Sequence, residues 1–190
     1  IDAWGRQGWT IKVWNRDMVM ELIHKYPACE QILPWLKRKV YLADMARLLA
    51  IYDEGGHYFD IDTQPEPRRN LWEHLNLHQP SEIYYAEHQL GVYHVLWSWP
   101  KRIRKGVLEH PVRLANLAFG ASPGNAFVKA NIDLLVQRCT EFKDDHDDYA
   151  VLYKTGPMCT TDAVKGAHVV DGEHWLHHNP EHSWMNNKDL

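Results

Sequence analysis

Apolar residues fall at Tyr41, Met45, Leu48, Leu49 and Tyr52 within Lys39–Glu54. These are the i, i+4, i+7 and i+8 intervals of one helix face, and Gly55 follows where a helix end favours glycine. A second run of the same period, 125–142, aligns Val128, Ile132, Leu135, Cys139 and Phe142. Residues 17–26 read as a helix stopped by Pro27, and 71–77 as a helix capped by Asn70. Segments 10–14, 57–61, 83–86, 93–97, 114–121 and 150–153 have the composition of strands. Alternating strands and helices, with no repeat or linker-like stretch, predict one α/β domain with helices around a central, mixed but mostly parallel sheet. Ligands of such sheets sit beyond the carboxyl ends of strands.

One predicted strand ends in a pair of acids: Gly55-Gly56-His57-Tyr58-Phe59-Asp60-Ile61-Asp62. In an extended chain Asp60 and Asp62 share a face, while Phe59 and Ile61 pack the other. Two carboxylates that close repel unless a cation joins them, and oxygen donors suit a hard divalent ion, Mg²⁺ or Mn²⁺. Alone, an acidic pair arises by chance among 25 Asp and Glu. Its neighbourhood adds specificity. Asp44 and Arg47 lie one turn apart on the helix that feeds the Gly-Gly turn, so they face the same way. Arg47 can fork onto a carboxylate or a hydroxyl pair, and Asp44 can accept from sugar hydroxyls.

Composition narrows the function classes. The 190 residues carry 21 Lys and Arg against 25 Asp and Glu, a formal charge of −4. Without basic runs this argues against a dedicated nucleic-acid or anionic-membrane binder. The short clusters at 37–39 and 101–105, and the acids Asp144, Asp145, Asp147 and Asp148, read as solvated surface. Three cysteines without a C-x-x-C pair fit neither a disulfide framework nor a zinc knuckle. No segment has the length and apolarity to span a bilayer, so the expectation is a cytoplasmic or otherwise soluble catalytic domain, with a removed anchor left open. Nine Trp and nine Tyr offer flat faces for a core or for stacking on sugars. Trp97 and Trp99 would share a strand face where an acceptor could stack, plain core being the other reading.

Asp44-x-x-Arg47 followed by Gly55-Gly56-x-Tyr58-x-Asp60-x-Asp62 resembles the sugar-binding DxD region of glycosyltransferase family 32, which includes initiating mannosyltransferase-like and capsular polysaccharide transferases. The same spacing is similar to the core of the clostridial glucosylating toxins. The segment from Gly8 to Trp14 resembles the family's early strand. Asn116 to Asn125, Thr155-Gly156-Pro157 with Thr161, and His178 to Trp184 resemble its later elements, in order. The family's first strand, which contacts the nucleotide, is missing or trimmed. His57 stands where the family carries an aliphatic residue. The resemblance implies a GT-A fold and a metal-dependent hexosyltransferase that uses a nucleotide-diphosphate sugar, with retention of configuration. UDP is favoured over GDP, UDP-glucose being one example, and a glycan or glycoprotein hydroxyl would be the acceptor. Asp60 and Asp62 would hold Mn²⁺ or Mg²⁺ against the diphosphate, and Asp44 and Arg47 would orient the donor sugar. No carboxylate nucleophile is evident, which leaves a front-face displacement open.

Four histidines crowd the tail between Glu173 and Trp184. By the resemblance His178 completes the metal shell, with His177 next in line. His182 would lie near the diphosphate, and Gly156 would contact the donor. Two rival readings stand beside this one. Asp60-Ile61-Asp62-Thr63 resembles the loop of haloacid-dehalogenase-like phosphatases, although Gln64 occupies the place of their threonine. A non-catalytic sugar-binding module would stack sugars on Trp and Tyr with the acids as a Ca²⁺ site, yet no Asp/Asn-rich loop surrounds Asp60.

Overall fold

In the computed structural model, which describes residues 2–87 and 113–178, the chain opens with helices α1 (Asp2–Arg6), α2 (Arg16–His24) and α3 (Pro27–Ile32), then α4 (Lys39–Glu54). Strands β1 (Gly56–Phe59) and β2 (Thr63–Pro65), helix α5 (Leu71–His78) and strand β3 (Glu82–Glu87) follow. From Arg113 onward come β4 (Arg113–Ala121), α6 (Ala126–Glu141), α7 (Asp148–Lys154), α8 (Pro157–Ala163), β5 (Val169–Asp171), α9 (Gly172–Trp175) and β6 (Leu176–His178). The predicted helices at 39–54, 71–77 and 125–142 are present. The Asn70 cap behaves as expected, accepting from the Glu73 amide, whereas Asn125, read as the first helical residue, is instead the cap of α6 and accepts from the amides of Phe127 and Val128.

The main sheet runs β1-β4-β3-β5. It is mixed, but β4 is antiparallel to both β1 and β3, and only β3 with β5 is parallel. The expectation of a mostly parallel sheet is therefore corrected for the described strands. β2 and β6 form a separate antiparallel ribbon, with Thr63 opposite His178 and Pro65 opposite Leu176.

Two other predicted strands are corrected. Residues 10–14 are irregular, with Ile11 and Val13 exposed and Lys12 ion-paired to Glu54. Residues 150–153 are helical within α7. The Asp147 carboxylate accepts from the Ala150 amide and starts a helix that the β-branched and aromatic composition had disguised. Pro27 stops α2 as expected, then opens α3 from its first turn, where a missing N–H costs nothing. The predicted strand 93–97, Trp97, Trp99 and the 101–105 cluster lie outside the described residues.

Both faces of the sheet are covered. Tyr84 and Phe119 point into a core with Ile23, Met45, Leu49, Leu135 and Cys159 from the surrounding helices. Ile83, Tyr85 and Ala118 point the other way, onto Trp4, Leu71, Leu75 and Leu176. The helix-to-strand corner needs two glycines. Gly55 (φ 73°) and Gly56 (φ 95°) lie in the left-handed region, and a Cβ on Gly55 would sit 2.6 Å from Pro123 Cδ.

Candidate functional site

Helix α4 carries Asp44 and Arg47 on its buried side, at 2% and 8% exposure, among the apolar residues of the predicted stripe. As the one-turn spacing predicts, Arg47 Nη2 lies 3.1 Å from Asp44 Oδ1. Two more elements close on the pair. Asn116 Nδ2 of β4 donates to Asp44 Oδ1 at 3.0 Å, and the Thr155 hydroxyl donates to Asp44 Oδ2 at 2.6 Å. Asn116 also works from its other end, since its backbone carbonyl accepts from Arg47 Nη1 at 2.6 Å.

A bulge makes that possible. Between the pairs Tyr84–Phe119 and Ala86–Leu114, β3 advances two residues while β4 advances five. The extra β4 residues leave the ladder, as in any bulge, and turn main-chain groups aside. The Leu117 carbonyl accepts from the Asp60 amide at 2.8 Å and fixes the end of β1.

The acidic pair sits differently from the extended geometry predicted for it. β1 ends at Phe59, and the Thr63 amide donates to the Asp60 carbonyl at 2.9 Å, closing a turn over 60–63. Ile61, expected to pack beneath the acids, projects from this turn with 94% exposure. Phe59 does pack, stacked on Trp4 at 3.9 Å between ring centroids. Asp60 Oδ1 lies 3.2 Å from Arg47 Nη1 and accepts from the Tyr58 hydroxyl. The Arg47 guanidinium stands 4.7 Å over the Tyr58 ring. Asp62 belongs to the same electrostatic group, because its charge reaches Arg47.

The charges respond to this crowding. Burial pushes the Asp44 carboxyl up to about 6, against the opposing pull of Arg47 and of the hydrogen bonds from Thr155 and Asn116. Burial also works against the charge on Arg47, but Tyr58, Asp60, Asp44 and Asp62 outweigh it and hold the guanidinium protonated. The Tyr58 phenol is driven upward by burial and stays a donor.

The structure thus gathers Asp44, Arg47 and Asp60, with Asp62 in the adjoining turn. Gly156 follows Thr155 at the corner between α7 and α8. A Cβ there would lie 2.9 Å from Leu152 Cα, so its small size has a packing reason. His178 ends β6 opposite Thr63, next in the chain to Asp62. His177 Nε2 contacts Glu66 Oε2, and His182 lies outside the described residues. Among the described residues no three His, Cys, Asp or Glu side chains cluster as a metal site. The turn does offer carboxylate oxygens alone, the donor set of a hard divalent cation that leaves its other positions to water and phosphate.

Tyr58, Asn116 and Thr155 were within the segments that carry the resemblance, yet sequence alone gave them no task. Asn116 lies 72 residues from its Asp44 partner and Thr155 lies 111.

Residues 5–81 match the model of a protein family described as a glycosyltransferase sugar-binding region containing a DXD motif. No curated protein matches the chain. The matched stretch holds Asp44, Arg47 and Asp60-Ile61-Asp62, and ends before β3, Asn116 and Thr155. The match, together with this grouping of residues, supports a glycosyltransferase-like, DXD-containing sugar-binding region as the centre of the site.

Proposed function

We propose that the protein is a metal-dependent hexosyltransferase of the family 32 type, with a GT-A fold, that moves a sugar from a nucleotide-diphosphate donor to a hydroxyl acceptor. The observation that carries this reading is the buried Asp44–Arg47 pair docked on Asp60, two residues before Asp62, inside a matched DXD region. UDP-hexoses, UDP-glucose among them, are the favoured donors, and a glycan or glycoprotein supplies the acceptor hydroxyl.

Asp60 and Asp62 would hold Mn²⁺ or Mg²⁺, with His178, paired opposite Thr63 in the β2–β6 register, assigned as the further ligand. When bound there, the cation neutralises charge on the departing diphosphate. This chain's own residues do the rest. Arg47 is fixed from several sides, by Asp44, the Asn116 carbonyl and the Tyr58 ring, so its guanidinium offers an oriented positive charge without reorganisation. Asp44 holds Arg47 in place and is assigned, with it, to orienting the donor sugar. Tyr58, un-ionised, donates to Asp60 and sets the direction of that carboxylate. Gly156 and His182 are assigned to the donor side of the site. Retention of configuration is what the resemblance implies, and with no carboxylate nucleophile evident in the sequence a front-face displacement is the route left open.

The test is nucleotide diphosphate release from a panel of UDP- and GDP-sugars, each with Mn²⁺, Mg²⁺ or EDTA, in wild type and Asp62→Ala. Release from one donor, abolished by EDTA and reduced at least 100-fold in the variant, is expected. Glycan binding that survives both EDTA and Asp62→Ala, with no donor cleaved, would replace this reading with that of a binding module.

A further inference from the structure

The β2–β6 ribbon has two ends. At one lie the Asp60–Thr63 turn and His178; at the other, the Glu66 amide donates to the Trp175 carbonyl at 2.9 Å. There a cleft of about 520 Å³ opens between Glu66, Arg68 and Arg69 on one side and Asp171, Glu173 and His174 on the other. It lies four residues beyond Asp62, about 13 Å along an extended strand. That is the reach of a short oligosaccharide whose end sits at the acidic turn.

The lining has the chemistry of polyol recognition. Arg69 is already placed: it contacts His174 Nε2, and its guanidinium stands 5.8 Å over the Trp175 ring. Glu66 is engaged by His177 and by the Arg68 amide, and Asp171 caps α9 by accepting from the Glu173 amide. Arg68 and Glu173, by contrast, line the same cleft with no hydrogen bond or ion pair joining their side chains to each other among the described residues. A donor fork and a carboxylate acceptor held apart across a gap are the complement of vicinal hydroxyls. Three carboxylates against two guanidiniums repel a second phosphate group, so a neutral sugar fits better than an anion. Gly172 fixes the far wall. Its missing Cβ, which would lie 2.6 Å from the Ala86 carbonyl, lets α9 press against β3 and carries Glu173 and His174 to the rim.

We propose that this cleft is the acceptor subsite, holding a neutral hexose unit of a glycan between Arg68 and Glu173 while the reacting hydroxyl extends along the ribbon to the acidic turn. The inference rests on the transferase reading and assigns that enzyme's second substrate.

The test uses ¹⁵N-labelled chain and three probes, maltose, cellobiose and methyl α-mannopyranoside, titrated without donor, with UDP and Mn²⁺ titrated separately. At least one sugar should shift the amides of Arg68, Arg69, Glu173 and His174. Arg68→Ala and Glu173→Gln should each weaken that binding at least tenfold, while Lys143→Ala on a distant surface binds as wild type does. A silent cleft with all three sugars, or undiminished affinity in both variants, overturns the proposal. The two readings fail separately. Nucleotide shifts near Asp62 with a silent cleft sink the subsite alone. Sugar shifts without nucleotide binding sink the transferase reading and leave a sugar site at the cleft.

Discussion

Asp44 shows how a buried charge depends on its company. Its carboxylate accepts from Asn116, Thr155 and Arg47, so deleting it strands a guanidinium that is only 8% exposed. Removing one partner of a buried pair costs about 3–5 kcal/mol, and Asp44→Ala should fall near about 3, because Asp60 still faces Arg47. Thr155→Val removes one donor and should cost about 1–3 kcal/mol. Urea unfolding of both variants checks these values. His57 supplies one part of the pH dependence, opposed below about pH 6 by Asp44, whose raised carboxyl takes up a proton in the folded chain first. Burial holds its imidazole down at about 4, against 6.5 ordinarily, and Nε2 has no hydrogen-bond partner among the described residues. Above pH 6.5 it is neutral in both states, and its contribution is intact. As pH falls from 6.5 towards 4, the unfolded chain takes up a proton that the folded chain refuses, so stability is lost, by up to about 3 kcal/mol. In His57→Leu, urea midpoints measured between pH 7 and 4 should fall less steeply than in wild type.

Within the elements, His57 and Gly120 form one unit. They are directly paired across β1 and β4, and a Cβ on Gly120 would lie 2.2 Å from the His57 ring. That ring cannot swing aside freely, since Trp9 meets it at 5.1 Å and Phe59 stacks beside it. Gly120→Ala should therefore destabilise by about 1–3 kcal/mol through overpacking. In a His57→Ala background the same change should cost much less, a coupling that a double-mutant cycle by urea unfolding would read directly. The β4 bulge is the other feature that matters at this scale. Regular pairing with β3 would commit the Asn116 carbonyl to a ladder and Arg47 would lose that partner, whereas the bond from the Asp60 amide to the Leu117 carbonyl simply continues the β1–β4 register.

Over the molecule as a whole, the site is suspended between two cores. The helices α4 and α6 pack on one face of the sheet and hold Asp44 and Arg47 from beneath. Trp4 anchors the other face, stacked on Phe59, with its indole N–H donating to the Thr63 carbonyl at 3.2 Å. This one side chain ties the chain's first helix to both ends of the acidic turn. Trp4→Ala should cost about 3–5 kcal/mol and loosen the turn, whereas Trp4→Phe should cost only about 1, the worth of the hydrogen bond. Thermal unfolding would separate the two variants. Nucleotide-dependent stabilisation by UDP with Mn²⁺ should shrink in Trp4→Ala, because the Asp60–Asp62 geometry depends on that anchor.

Local chemistry was legible in the sequence wherever the interactions are short-range. The helical stripe from Tyr41 to Tyr52, the Asn70 cap, the Gly55-Gly56 corner and the one-turn Asp44–Arg47 pair all follow from neighbours a few residues apart. The acidic pair itself and its match to a sugar-transferase region were equally readable. What only the tertiary structure decided depends on distant partners. Strand direction is set by which edges meet, and here antiparallel pairing of β4 with β1 and β3 prevails over the parallel order that alternating elements suggest. The turn that separates Asp60 from Asp62 forms because Leu117 and Thr63 capture Asp60's backbone groups. Asn116 and Thr155 matter to the site through hydrogen bonds spanning 72 and 111 residues. No periodicity in a chain reports on such bonds, since they exist only once packing has brought the two ends together.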